Sequence, residues 1–315
     1  MLGACGGNGG SSSNGGSSAA PTPGESASAS PSAEPSAAPE GYVPTELTVQ
    51  FVPSQNADTL EAKAKPLEKL LGDKLGIPVK VSVSTDYNTI IEAMASKKVD
   101  VGFLPPTAYV LAKEKGAAEV ALQAQRYGVE DATGKETTEL VDSYYAMIIV
   151  KKDSPIQSVA DLKGKKIAYQ NVTSSAGYVW PAAELLEAGI DPLKDVEPVT
   201  VKGHDQAVIA VLNGDVDAAA IFQDARNTVV KDYPTVFDDT RVVVKTEPIP
   251  NDTVSVRSDM NADWVAKIQQ AFIDIGQDPE GGKIIFDIYS HRGYVKSEDS
   301  VFNIVREYGE KVKTE

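Results

Sequence analysis

The chain has 315 residues, of which 42% are hydrophobic, and its 45 Asp and Glu outnumber its 30 Lys and Arg to give a formal net charge of −15. This acidity argues against nucleic acid as a partner, because neutralising phosphates needs clustered Lys and Arg, and against a basic membrane-binding surface. The single cysteine excludes an intramolecular disulfide and a Cys-based metal site, and neither a P-loop nor a Rossmann glycine fingerprint is present, so we expect no metal and no cofactor.

The first residues of the chain indicate lipidation. Leu2-Gly3-Ala4-Cys5 matches the L-x-[AG]-C pattern at which bacterial lipoproteins are cleaved and lipidated, and this favours a lipid on Cys5 over a free thiol. The charged and apolar regions that usually precede such a pattern are missing, so we expect residues 1–5 to be a truncated lipobox. Residues 6–44 are almost entirely Gly, Ser, Ala and Pro, a composition that predicts a disordered tether. We therefore expect an extracytoplasmic protein that is anchored to the cell membrane through a lipid.

After the tether, short β-rich runs alternate with helical segments. Helix 58–75 is expected to be kinked at Pro66, because proline lacks the backbone N–H that a helix interior needs. This alternation predicts βα units in mostly parallel sheets flanked by helices, an α/β fold. In chain order, the predicted elements of this half are strand 47–52, helix 58–75, strand 79–83, helix 87–97, strand 99–104 and a helix that starts at Pro105-Pro106.

The second half of the chain repeats this organisation. Two similar βαβ sets joined by two crossings predict two lobes, one holding 45–143 plus 250–315 and the other 144–249. Ligands of open α/β sheets bind beyond the carboxyl ends of the strands, so we expect a site in the cleft between the lobes. The predicted elements are strands 144–150, 167–169, 197–201, 216–221, 241–245 and 253–256, helices 175–188 and 205–213, and a mostly helical remainder over 262–315.

Two strand-end segments carry groups that suit an anion. Thr173-Ser174-Ser175 lies between a strand and a helix, where hydroxyls and free backbone N–H groups bind anions, although such residues are also common as helix caps. His204 follows the next strand in Gly203-His204-Asp205. A lone histidine is more often structural, but this position favours a hydrogen-bond donor to an anion. His291 lies in a segment outside the predicted cleft, and we interpret it as structural.

Acids and aromatics follow the other strands. Asp224 and Asp252 lie in loops, where the default interpretation is a solvated carboxylate. Tyr87 and Tyr144 are near the cleft, where tyrosines are often only packing but need a hydrogen-bond partner for the phenol when buried. Alone, each of these signals is weak.

In their order and spacing, these motifs resemble those of one family. The set looks like the phosphonate-binding subunits (PhnD-like) of ABC importers, and the resemblance covers about 46–300. It implies a two-lobed periplasmic-binding-protein fold of type II with two hinge crossings. The segments that carry the resemblance are Asp86-Tyr87, Asp153-Ser154-Pro155-Ile156, Leu162-Lys163-Gly164-Lys165, Thr173-Ser174-Ser175-Ala176-Gly177, Gly203-His204, Asp215-Val216-Asp217-Ala218 and Ile249-Pro250.

The resemblance also implies roles for single residues. The family's Ser-Thr-Ser-Gly loop grips the phosphonate oxygens, and its first two positions are Ser174 and Ser175 here. Its third hydroxyl is Ala176 in this chain, and Thr173 is a candidate replacement. The family's histidine and tyrosines, which also bind the phosphonate, match His204, Tyr87 and Tyr144. In members that take aminoalkylphosphonates two acids hold the ammonium, and these match Asp224, where the best-known pattern has a glutamate, and Asp252.

The expected function is therefore capture of a phosphonate, of the 2-aminoethylphosphonate kind, and its delivery to the permease subunits of an ABC importer. We expect a monomer whose neutral donors hold the anion without a full Lys or Arg countercharge. A receptor for phosphite or phosphate, or one that feeds a sensor kinase, is the alternative. An enzyme is a remote alternative, because His204 and Asp205 are adjacent in the sequence, which is an unfavourable geometry for a catalytic triad with Ser174. We expect no catalytic residue.

Overall fold

The computed structural model describes residues 40–313, which fold into two β-sheets flanked by helices. The strands are β1 (Leu47–Phe51), β2 (Val79–Val83), β3 (Val101–Leu104), β4 (Ala118–Val129), β5 (Glu136–Val141), β6 (Ser143–Lys151), β7 (Lys166–Tyr169), β8 (Glu197–Thr200), β9 (Ala218–Phe222), β10 (Thr240–Pro250), β11 (Thr253–Arg257) and β12 (Gly293–Lys296). The helices are α1 (Ala57–Ala64), α2 (Leu67–Leu75), α3 (Tyr87–Ala95), α4 (Pro106–Glu114), α5 (Trp180–Glu187), α6 (His204–Asn213), α7 (Val236–Asp239), α8 (Ala262–Gln277), α9 (Pro279–Tyr289) and α10 (Asn303–Val312).

The first sheet has seven strands in the order β12-β4-β11-β3-β1-β2, with β5 paired to β4. Strand β1 pairs in parallel with β2 and β3, and the other pairings are antiparallel. Leu47, Val49 and Phe51 alternate along β1 and are buried, as expected for a strand with one face on the core. The Phe51 ring stacks on that of Phe103 in β3, with ring centroids 4.2 Å apart. The carboxyl ends of β1 and β3 therefore lie side by side.

The second sheet has five strands in the order β10-β6-β9-β7-β8. Strand β7 pairs in parallel with β8 and β9, whereas β6 pairs antiparallel with β9 and β10. The chain enters this sheet through β6 and leaves it through β10, and the amide N–H of Asn251 donates to the carbonyl of Asp142 over 2.8 Å where the two crossings meet. Both sheets are mixed rather than mostly parallel, because β4 pairs antiparallel with its neighbours in the first sheet and β6 does so in the second.

Most predicted elements are present, with ends that differ by a few residues. The helix predicted over 58–75 is divided into α1 and α2 at Pro66, in agreement with the missing N–H of proline. The sequence patterns do not predict β4, β5 or β12, and the first of these contributes a charged residue to the site described below.

Residues 40–44 pack on the folded body, so the tether predicted over 6–44 is wrong at its C-terminal end. The amide N–H of Tyr42 donates to the carbonyl of Asp259 over 2.7 Å. The guanidinium carbon of Arg257 lies 3.7 Å from the centre of the Tyr42 ring, a cation–π contact. Cys5 and the rest of the predicted tether lie outside the described residues.

Candidate functional site

Loops from both sheets enclose a cavity of about 280 Å³. It lies at the carboxyl ends of parallel strands, where open α/β folds bind ligands. The sequence reasoning singled out six of the side chains that line it, and the structure brings them together: Tyr87, Tyr144, Ser174, His204, Asp224 and Asp252.

The Ser174 hydroxyl lies at the start of a π-helical turn, Ser175–Val179, that continues into α5. It accepts a hydrogen bond from the amide N–H of Gly177 (3.1 Å) and donates one to Oε1 of Gln170 (3.2 Å). Ala176, in the same turn, lines the cavity. The amide N–H groups of Gly177, Tyr178 and Val179 donate to Ser174, so among the described residues those of Ser175 and Ala176 are the ones that this turn can offer to an anion.

The other two hydroxyls of this segment are directed elsewhere. The hydroxyl of Ser175, which is fully buried, accepts from the amide N–H of Thr107 (3.0 Å) and so joins the two sheets. The hydroxyl of Thr173 donates to Oδ1 of Asn171 (2.8 Å). Neither residue lines the cavity. The structure therefore does not bring Thr173 into the place of the hydroxyl that is missing at Ala176.

His204 presents a neutral imidazole to the cavity. Its Nδ1 accepts from the amide N–H of Phe222 over 3.3 Å, which places the ring proton on Nε2. Burial lowers the pKa of His204 to about 3, so the ring stays neutral at physiological pH. Because Nδ1 is an acceptor, it cannot donate to Asp205, and the Ser174–His204–Asp205 triad is not assembled. The Nε2–H group is thus available as a donor to an anion.

The buried neutral state of His204 predicts a pH dependence of stability. Between about pH 3 and pH 6.5 the unfolded chain binds a proton that the folded ring does not, so the free energy of unfolding falls by about 1.4 kcal/mol per pH unit as the pH is lowered through this window. Above pH 6.5 both states are neutral and this contribution is constant. We expect His204→Gln to flatten the slope of unfolding free energy against pH between 6 and 4.5. An unchanged slope, measured by denaturant titration, would contradict the neutral assignment.

Two tyrosines, Tyr87 and Tyr144, line the cavity, and a glutamine accepts a hydrogen bond from the first of them. The phenol of Tyr87 donates to Oε1 of Gln170 over 3.2 Å. Tyr87 and Tyr144 are buried, and burial raises the pKa of both phenols, so both remain protonated hydrogen-bond donors. Gln170, which the sequence reasoning missed, therefore holds both Tyr87 and Ser174. In the sequence, only its position directly after the strand β7 indicates that it could lie near the site.

Asp224 is paired with an arginine that the sequence reasoning also missed. Oδ1 of Asp224 accepts from Nη1 of Arg126 over 3.3 Å, and the two side chains are only 6% and 9% exposed. Arg126 lies in β4 and lines the cavity. A positive charge thus lines the cavity, but it is paired with Asp224, so an anion held without a full Lys or Arg countercharge stays a prediction.

Asp252 has a histidine beside it. Its Oδ2 lies 3.6 Å from Nε2 of His291, which is almost completely buried. Burial lowers the pKa of His291, although the nearby Asp252 carboxylate opposes this shift, so the ring is neutral at pH 7. Nδ1 of His291 lies 3.2 Å from the phenol of Tyr294. His291 was expected away from the cleft, yet it lies directly behind Asp252.

The loop after β1 closes on the start of α6 at the edge of the cavity. The amide N–H of His204 donates to the carbonyl of Ser54 over 2.9 Å. A Cβ atom built on Gly203 would lie 3.1 Å from Cα of Gln55 and 2.3 Å from Oδ1 of Asp205. The absence of a side chain at Gly203 therefore allows the two loops to meet.

Within residues 40–313, no group of three or more His, Cys, Asp and Glu side chains is placed to hold a metal ion. No helix in the same part of the chain is both long enough and apolar enough to cross a membrane.

Comparison with known proteins gives a family and several relatives. A family model described as "ABC transporter, phosphonate, periplasmic substrate-binding protein" matches residues 49–302. The Phosphate-import protein PhnD of Mycolicibacterium smegmatis is 30% identical over 190 residues, which are 58% of this chain and 56% of that protein. The Phosphonates-binding periplasmic protein of Escherichia coli is 24% identical over 238 residues, 74% of this chain and 67% of that protein.

Two solved structures share the fold. A binding protein component of an ABC phosphonate transporter from Pseudomonas aeruginosa is similar with a TM-score of 0.72 at 21% identity, and the match covers 84% of this chain and 85% of that one. A PhnD1 protein from Prochlorococcus marinus in complex with methylphosphonate gives the same TM-score at 18% identity, over 85% and 98% of the two chains. The predicted type II periplasmic-binding-protein fold is thereby confirmed.

Proposed function

Because the chain belongs to the family of periplasmic substrate-binding proteins of phosphonate ABC transporters, we propose that it captures phosphonates in the cavity between its two sheets and delivers them to permease subunits. The observation that carries the proposal is the donor set at one end of the cavity. There His204, whose Nε2–H is a donor, and Ser174, at the start of the Ser175–Val179 turn, both line the cavity. The Ser174 hydroxyl, which donates to Gln170 in this structure, turns to the ligand on binding. Such donors make charge-assisted hydrogen bonds to an oxyanion.

The preferred ligand in this proposal carries an ammonium group, as 2-aminoethylphosphonate does. Asp252 supports this assignment, since its carboxylate lines the cavity, is partly exposed, and lies 3.6 Å from the neutral ring of His291. Asp224 is engaged by Arg126, so Asp252 takes the larger share of the amine-binding role. An opposite charge within about 4–6 Å stabilises a cation in such a place.

A second candidate is a receptor for an oxyanion that lacks an amine, such as phosphate or phosphite. The Arg126–Asp224 pair favours it, because the pair leaves one carboxylate fewer for a cation. The names of the relatives from Mycolicibacterium smegmatis and Prochlorococcus marinus, a phosphate-import protein and a probable phosphite-binding protein, support the same candidate. Delivery to a sensor kinase rather than a permease is a variant of either function.

We further propose a location for the protein and a closing movement of its body. Cys5 carries a lipid and residues 6–39 form a tether, so that the monomeric body is held at the outer surface of the cell membrane. The two sheets with their helices, 45–143 plus 250–315 and 144–249, act as lobes that close on the ligand about the crossings near 144–148 and 245–250.

A thermal-shift panel tests the proposed function. We expect 2-aminoethylphosphonate to raise the melting temperature of the full chain most, alkylphosphonates less, and sulfonates least, because a ligand that binds the folded state stabilises it by mass action. Shifts for phosphate or phosphite alone would favour the second candidate, and no shift with any phosphorus oxyanion would contradict both. Phosphate released from a phosphonate on incubation would instead indicate an enzyme.

A further inference from the structure

Arg126 is paired with one of the proposed amine-binding acids, Asp224, and the structure holds it firmly in place. Its Nη1 donates to Oδ1 of Asp224 over 3.3 Å, and its Nη2 donates to the carbonyl of Tyr289 over 2.9 Å. The guanidinium carbon lies 5.2 Å from the centre of the Tyr144 ring. These three contacts fix the plane and the position of the guanidinium.

The Arg126–Asp224 pair also lies where the ligand cavity meets a second cavity. The second cavity, of about 230 Å³, lies under the β4–β5 hairpin and shares both residues with the first. Among the described residues, Nε of Arg126 is buried and has no hydrogen-bond partner. The guanidinium charge is therefore fixed at the wall of the ligand cavity.

We propose that Arg126 is a specificity-determining residue, which pairs with Asp224 so that the site accepts alkylphosphonates, which carry no ammonium group, as well as aminoalkylphosphonates. The inference rests on the proposed function and names its substrate class. Two unopposed carboxylates would repel a phosphonate and demand a cation. With Arg126 present, Asp252 remains as the unpaired acid, since His204 and His291 are neutral. The penalty for a ligand without an amine is thereby reduced.

A pair of near-isosteric ligands tests the proposal, namely 2-aminoethylphosphonate and propylphosphonate, in which a methyl group replaces the ammonium. The measured quantity is the ratio of the dissociation constant of propylphosphonate to that of 2-aminoethylphosphonate, obtained by calorimetry on the full chain. We expect Arg126→Gln to raise this ratio about tenfold, because Asp224 is then free to attract the ammonium. Any change in the attraction for the phosphonate group affects both ligands and leaves the ratio unaltered.

Two further variants control for the loss of a buried ion-pair partner. In the double variant Arg126→Gln/Asp224→Asn both charges are removed, and we expect the ratio to return close to the wild-type value. Asp224→Asn alone leaves Arg126 unopposed and is expected to lower the ratio about tenfold, so it provides the test if Arg126→Gln does not fold.

The outcomes separate the inference from the proposed function. A ratio that stays constant in Arg126→Gln and in Asp224→Asn, while both affinities fall together, would overturn the inference, because Arg126 would then act on the phosphonate group itself. Failure of the wild-type chain to bind either ligand would overturn the proposed function instead.

Discussion

Replacing Gly203 by alanine is expected to weaken phosphonate binding by about 2 to 3 kcal/mol, or roughly 30- to 150-fold. A Cβ atom at this position would lie 3.1 Å and 3.2 Å from the Cα and carbonyl carbon of Gln55, which belong to the loop on the other side of the cavity. Backbone atoms cannot rotate away as a flexible side chain can. The loop after β1 would therefore be held off the start of α6, and the hydrogen bond from His204 N–H to the Ser54 carbonyl would be lost.

Calorimetric titration of Gly203→Ala with a phosphonate measures this effect. Gly309→Ala is the matched control, because a Cβ atom there meets nothing within 4 Å, and we expect its affinity to equal that of the wild type. Both variants should unfold cooperatively, since φ of Gly203 is −144° and is accessible to alanine. Unchanged affinity in Gly203→Ala would show that the close approach of the loops does not contribute to binding.

Replacing Asp252 by asparagine is expected to reverse the ligand preference. The variant keeps the size of the side chain and removes its charge, so 2-aminoethylphosphonate should lose about 2 kcal/mol of binding free energy, roughly thirtyfold in affinity. Propylphosphonate should bind as well as before or better, because the negative charge near its phosphonate group is removed. Competition titration with the two ligands measures the change in preference.

Asp232→Asn is the control for this change. Asp232 is exposed and does not line the cavity, so neither affinity should alter. Equal losses of both ligands in Asp252→Asn would argue that Asp252 supports the shape of the cavity rather than an ammonium group.

The positions that could be predicted from the sequence are those fixed by local rules. Ser174, His204 and Asp224 follow predicted strands, and the carboxyl ends of such strands meet in α/β folds whatever the details of packing. The break between α1 and α2 followed in the same way from Pro66, whose ring cannot continue the hydrogen-bond pattern of a helix.

Arg126 could not be found in this way, because β4 has no clear strand pattern. Polar residues such as Gln123 and Gln125 interrupt its apolar residues, and the strand is stabilised by pairing with β11 and β12, which are more than a hundred residues away in the chain. From the sequence, a charged residue within such a segment is predicted to lie at the surface. Its burial beside Asp224 depends on tertiary contacts that no local pattern specifies.

The directions of the three side-chain hydroxyls at 173–175 could not be predicted from the sequence either. All three share one segment, yet at the start of the π-helical turn Ser174 lines the cavity and Ser175 accepts from Thr107 of α4, while Thr173, before the turn, donates back to Asn171. A turn that widens the helix by one residue changes which side chains share a face. Residue spacing alone does not reveal such a turn.

Calorimetric titration of the full chain with 2-aminoethylphosphonate, before and after the double substitution Ser174→Ala/His204→Ala, tests the central claim most directly. We expect the wild-type protein to bind one ligand per chain and to lose at least about 3 kcal/mol of binding free energy on removal of these two donors to a charged ligand. No measurable binding of this or any other phosphonate by the wild-type chain, or equally tight binding after the double substitution, would contradict it.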